Sequence, residues 1–228
     1  MKKLFALVLA GIMVFSLAAC GQSKNENETS GKADSVEEVA SGGWSRAESP
    51  VVPDEVKSLL EKAAEGMLGA DYTPVAYIGS QVVSGTNHAV LCKIAPAVPD
   101  ASATYSIVIL YEDLEGNVEI TDVLDSEAEA PADSDEGISG GWEEAESPVM
   151  TEEAKAALEK ATEEMLGADY TPIALLGTQV VAGTNYSILC EITATSPDAE
   201  PSYSVVVVYE DLEGNAEITD SYDFATNE

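Results

Sequence analysis

Two stretches of the chain carry apolar residues at helical spacing: Val56, Leu60, Ala63 and Met67, and later Ala154, Leu158, Ala161 and Met165. Pro53-Asp54-Glu55 and Thr151-Glu152-Glu153 precede them. These supply a helix starter and acidic groups where the N-terminal dipole favours negative charge. Gly69 and Gly167 are natural C-terminal stops. Behind each helix the period falls to two. Strands are predicted over about 74–83, 87–94, 105–112 and 117–124, and over the matching positions further on. In the later set Tyr186, Ile188, Cys190 and Ile192 face one way and Ser187, Glu191 and Thr193 mostly the other. That alternation predicts a half-buried strand facing the helix. Gly116-Asn117 and Gly214-Asn215 mark the last hairpin turns. One helix lying across an antiparallel sheet is an α+β layer arrangement.

The elements come twice because the sequence does. A shift of 98 residues lays 41–125 on 139–223 without a gap, with 53 of 85 positions identical. Met67-Leu68-Gly69-Ala70-Asp71-Tyr72-Thr73-Pro74 returns unchanged from Met165 to Pro172, and Tyr111-Glu112-Asp113-Leu114-Glu115-Gly116-Asn117 returns from Tyr209 to Asn215. Two units of this size can each enclose a core, so the pattern is a tandem duplication and not a solenoid. Residues 126–138, rich in acidic and small side chains, read as an acidic linker that lets the two units move independently.

Composition sharpens this. The 228 residues carry 10 Lys+Arg against 42 Asp+Glu, a formal net charge of −32, with 45% apolar residues. The apolar share suffices for a core. The charge excludes nucleic acid as a partner, since that affinity comes from basic groups neutralising phosphates, and it disfavours adhesion to an anionic membrane surface. Lys2-Lys3, the apolar run 4–17 and Leu17-Ala18-Ala19-Cys20 have the form of an export signal. The last four residues resemble the lipobox of bacterial lipoproteins. The resemblance implies a signal peptide at 1–19, lipidation of Cys20, a polar tether at 20–40, and an exported chain held at the bacterial membrane or cell surface by its acyl chains. Removing Lys2 and Lys3 leaves eight basic groups against the 42 acidic ones. Cys92 and Cys190 occupy equivalent places in apolar strand runs and read as buried core.

Between the first two predicted strands of each copy stands a distinctive hairpin, Gln81-Val82-Val83-Ser84-Gly85 and Gln179-Val180-Val181-Ala182-Gly183. About forty residues upstream lie Gly42-Gly43 and Gly140-Gly141, with one helix between. These features resemble the cystatins, inhibitors of papain-like cysteine proteases, and the second copy is close to the stefin-type version. The resemblance covers both copies. It implies an α+β chain of two tandem cystatin-like domains, at 41–125 and 139–228, each one helix packed across a four- to five-stranded antiparallel sheet. It implies a non-enzymatic, steric inhibitor without metal or cofactor, monomeric, whose partner is a papain-like cysteine protease. The glycine arm, the Gln-x-Val-x-Gly hairpin and a second hairpin carrying Leu114 or Leu212 would enter the protease cleft. The family's Pro-Trp is missing from that second hairpin, as in stefin-type members. The other reading is a surface binding or adhesion module on the same scaffold that inhibits nothing. Trp44 and Trp142, after the glycines, either pack on the sheet or line the binding edge. His88 stands where the second copy has Tyr186; in strand spacing it lies about 13 Å from Cys92, too far for a catalytic dyad. Asp113-x-Glu115-Gly116-Asn117 faintly resembles a calcium loop, but its spacing fits a simple turn better.

Overall fold

The structure, a computed structural model, describes residues 43–99, 101–131, 140–196 and 199–226. The expected signal peptide, Cys20, the tether and Gly42 lie outside the described residues, as does most of the expected linker. The first copy comprises β1 (Trp44–Arg46), α1 (Asp54–Ala64), β2 (Ala70–Val82), β3 (Gly85–Pro96), β4 (Thr104–Asp113) and β5 (Val118–Glu129). The second comprises β6 (Trp142–Glu144), α2 (Glu152–Thr162), β7 (Ala168–Val181), β8 (Gly183–Ala194), β9 (Ser202–Asp211) and β10 (Ala216–Asp223), followed by β11 (Ala225–Thr226). No helix among the described residues is long and apolar enough to cross a membrane.

Local chemistry accounts for the element ends. Thr151 caps α2 by accepting a hydrogen bond from the Ala154 amide at 3.2 Å. Both helices end a turn earlier than the periodicity predicts, where the Met67 and Met165 amides close turns on the carbonyls of Ala64 and Thr162. Leu68 is left 98% exposed. The second strands begin sooner than expected and run through Pro74 and Pro172. Each proline sits at a register shift in its strand, where a residue without an N–H costs no ladder bond.

All strand pairing is antiparallel, in the orders β1-β2-β3-β4-β5-β11 and β10-β9-β8-β7-β6. The expectation of two separate tandem domains, each a helix across a sheet of its own, is overturned. Among the described residues, eleven strands and two 11-residue helices make a body that is mostly antiparallel sheet. A core common to both copies joins Ala76, Ile78, Leu91 and Ile107 to Ala174, Leu176, Leu189 and Val205. The six-stranded sheet is completed by β11, which comes from the far end of the chain and pairs Ala225 with Asp125 and Thr226 with Leu124. Residues 126–129, expected in a mobile linker, extend β5 instead, and Ala128 and Ala130 are buried in the shared core.

The physical reason lies in the strand interiors. Alternation predicts one buried face per strand, yet Val90, Leu91 and Cys92 are all fully buried, as are Val205, Val206 and Val208. Val90 and Cys92 share a cluster with Val56, Leu59 and Leu60 of α1, whereas Leu91 belongs to the core between the sheets. Cys190, Val206 and Val208 likewise cluster with Ala154, Ala157 and Leu158 of α2. Strands covered on both faces read as continuous apolar runs.

Two ion pairs cross between the copies: Arg46 with Glu191 at 2.5 Å and Lys93 with Glu144 at 3.4 Å. In the repeat, Arg46 corresponds to Glu144 and Lys93 to Glu191. The same two positions therefore meet twice, with the basic residue always in the first copy. The copies are related by an approximate two-fold arrangement whose charges have become complementary.

Candidate functional site

The Gln-x-Val-x-Gly hairpins join β2 to β3 and β7 to β8. Beside each lies the β4–β5 or β9–β10 hairpin, because Gly85 pairs with Asp113 and Gly183 with Asp211. Trp44 pairs with Gln81 and Trp142 with Gln179, so the strand after each glycine pair starts at the same end. The structure thus brings together, at one sheet end in each copy, Gly43, Gln81, Val82, Val83, Ser84, Gly85 and Leu114, and Gly140, Gly141, Gln179, Val180, Val181, Ala182, Gly183 and Leu212.

What these ends present to solvent is apolar. Val82 and Val83 are exposed, Val180 and Val181 are 68% and 44% exposed, and Leu114 and Leu212 are 82% and 86% exposed. Trp44 is half exposed, while Trp142 is partly buried along the cleft between the sheets. Acidic side chains at Glu112, Glu115, Glu210 and Glu213 surround the leucines.

The exposed tips stand on a rigid base. Gly85 and Gly183 are themselves buried. A Cβ added at Gly85 would fall 2.3 Å from the Glu112 carbonyl oxygen, and one at Gly183 would fall 2.2 Å from that of Glu210. Gly183 also has φ of +142°, which L side chains rarely adopt. Glycine is thus required for the close approach of two backbones, not for flexibility. Gln81 and Gln179 do not act as loose contact residues. Asn87 Nδ2 donates to Gln81 Oε1 at 2.8 Å and Asn185 Nδ2 to Gln179 Oε1 at 2.7 Å, tying the hairpin's two strands together. Gln179 Nε2 also donates to the Gly140 carbonyl at 2.8 Å, joining arm to hairpin.

Three further kinds of support hold these ends, and sequence reasoning placed only the turn at the second of them. The Tyr111 hydroxyl donates to the Ser84 carbonyl at 3.1 Å, and that of Tyr209 to the Ala182 carbonyl at 2.8 Å. In the neighbouring hairpin, Asp113 Oδ1 accepts from the amides of Glu115 and Asn117, and its Oδ2 from Asn117 Nδ2. Asp211 repeats this with Glu213 and Asn215. The Asn side chain and these amides hold both aspartates below the usual carboxylate range. Their oxygens are thereby spent on turn geometry, which accounts for the calcium-like spacing. Finally Lys62 and Lys160, in the last helical turns, donate to the carbonyls of Gly116 and Gly214. Identical Asp-x-x-x-Asn and helix-end lysines in both copies were the available signal.

His88 stands where the second copy has Tyr186. Its Nδ1 lies 3.0 Å from the Tyr77 hydroxyl and its Nε2 3.9 Å from Glu112. Burial outweighs the attraction of Glu112 and lowers its pKa. In the second copy the Tyr186 hydroxyl donates to Glu210 instead, at 3.2 Å. Cys92 and Cys190 are free and buried, and burial pushes both thiols up to about 12. Neither is available as a thiolate nucleophile.

In comparison with known proteins, no protein-family model matches the chain, and no curated protein matches it either.

Proposed function

We propose that this chain is a non-enzymatic inhibitor of papain-like cysteine proteases, acting by steric occupation of the active-site cleft. The observation that carries the reading is the pair of adjacent apolar hairpin tips at one end of each sheet, exposed at the summit and tied down beneath. A tip rigid in its free state loses little conformational entropy on binding. Backbone and valine side chains that project from this tied-down base offer a protease cleft an apolar edge to bind. The resemblance of both hairpins to the cystatin signature names the protease class. Export and lipid anchoring through Cys20 place the inhibitor at the cell surface, where a host or competitor protease would meet it.

The test is a titration of papain with the chain from residue 21 onward. Gly183→Glu, the obvious loop variant, is a poor probe because the clash with the Glu210 carbonyl disturbs the fold itself. The exposed side chains are better. Replacing Val82, Leu114, Val180 and Leu212 together by Asp removes most of the apolar surface of the tips at positions outside the buried core clusters. Tight, reversible inhibition is expected from the parent chain. About 30-fold or greater weakening is expected for each tip that acts as a binding hot spot of roughly 2 kcal/mol. A folded chain that leaves papain fully active at high micromolar concentration overturns the reading and favours a non-inhibitory binding module.

A further inference from the structure

The shared core sets the direction in which each hairpin end points. Arg46 is level with Gly79, four residues short of Val83 at the first tip. Its partner Glu191 is level with Thr171, ten residues short of Val181 at the second tip. The other ion pair reverses these roles: Lys93 is level with Thr73, ten residues from Val83, and Glu144 with Gly177, four from Val181. Suppose first that both tips pointed the same way. At about 3.3 Å per residue, the two ion pairs would then place the second tip at positions some 40 Å apart. If the tips point in opposite directions, both pairs place it at the same position.

The end of the chain gives the same answer independently. β10 is the second copy's counterpart of β5, and only Phe224 separates it from β11. β11 then pairs antiparallel with β5. Equivalent strands of the two copies therefore run in opposite senses. The tips stand at opposite ends of one rigid body, roughly 45 Å apart by residue spacing.

We propose that the protein is bivalent, with one papain-like protease held at each end at the same time and the two proteases kept apart by the length of the stacked sheets. This rests on the function proposed above and adds the arrangement. A flexible tandem would let two bound proteases approach each other. Here the shared core and the crossed ion pairs prevent it. The two sites share no side chain, so the first protease leaves the second site as it was.

Two measurements on the chain from residue 21 onward test this separately. In the first, Leu114→Cys and Leu212→Cys are spin-labelled together, the native cysteines being buried. A label separation near 45 Å is expected; one below about 25 Å overturns the opposed arrangement whatever the protein inhibits. In the second, papain with its catalytic thiol blocked is added and the complex mass is measured by light scattering. Two papains per chain are expected. One is expected for Val82→Asp with Leu114→Asp, one for Val180→Asp with Leu212→Asp, and none for all four changes, with circular dichroism unchanged. Saturation at one papain per parent chain overturns bivalency while leaving inhibition standing. No complex from the folded parent chain overturns the proposed function and bivalency together.

Discussion

Glu144 holds Lys93 across the interface between the two sheets, with Lys93 Nζ 3.4 Å from Glu144 Oε2 and only 6% of the lysine side chain exposed. A lysine this buried is tolerated only where an opposite charge compensates its lost hydration. Its equivalent in the second copy, Glu191, answers Arg46 at 2.5 Å. A chain of strongly negative overall charge has thus placed two of its few basic groups where its own second copy docks.

Charge reversal at this contact is expected to be costly and to be rescued by reversing its partner. Lys93→Glu sets two carboxylates against each other at a buried position and is expected to destabilise the body by about 3 kcal/mol or more. Adding Glu144→Lys is expected to recover most of that loss. Urea denaturation of both single variants and the double variant measures it. If the double variant is no more stable than the sum of the singles predicts, the two residues do not interact.

Tyr105 offers a stabilising change. Its hydroxyl is buried in the core between the sheets without a hydrogen-bond partner, whereas its counterpart Tyr203 is only partly buried and lies beside Glu191. Tyr105→Phe is expected to be neutral or to stabilise by about 1 kcal/mol. Tyr203→Phe is expected to bring no such gain. Thermal unfolding of the two variants side by side compares them.

The buried glycines should respond unequally to a methyl group. Gly85→Ala and Gly183→Ala each press a Cβ against a carbonyl oxygen, and only Gly183 also has a left-handed φ. Both are expected to cost roughly 2 kcal/mol, with Gly183→Ala the more damaging. Amide hydrogen exchange near each hairpin shows whether the loss is confined to that end.

Acid should loosen the second hairpins only once pH falls below the ordinary carboxylate range. Asp113 and Asp211 are held below the ordinary carboxylate value of 3.8 by Asn117 and Asn215. A depressed folded pKa contributes stability that is present above the unfolded value and lost as pH falls through the folded one. The amides of Glu115, Asn117, Glu213 and Asn215 are expected to lose exchange protection as pH drops below about 4. Asp113→Asn should show weak protection at the first hairpin already at neutral pH, with no further acid step there.

Much of the site was legible before any tertiary contact was known. The Gln-x-Val-x-Gly turn, the Asp-Leu-Glu-Gly-Asn turn and the helix starts are written in consecutive residues, and their chemistry acts over one or two turns. The part played by Gln81 and Gln179 was not legible in that way. Their partners Asn87 and Asn185 lie across the hairpin, so the glutamines read as contact residues when they are braces. Tyr111 and Tyr209 were missed for the same reason, because each reaches a carbonyl 27 residues away.

The sequence by itself determined the duplication, the alternation that makes strands, the turns that end them and the apolar residues left at the tips. Only the tertiary structure decided what covers the second face of each strand. An apolar residue such as Leu91 or Leu189 is buried equally well by a helix, a neighbouring sheet or another chain, and nothing local distinguishes these. The shared core, the completion of the first sheet by Ala225 and Thr226, and the ion pairs of Arg46 and Lys93 all join residues far apart in the chain. Those long-range contacts made one body of two copies and turned their hairpin ends in opposite directions.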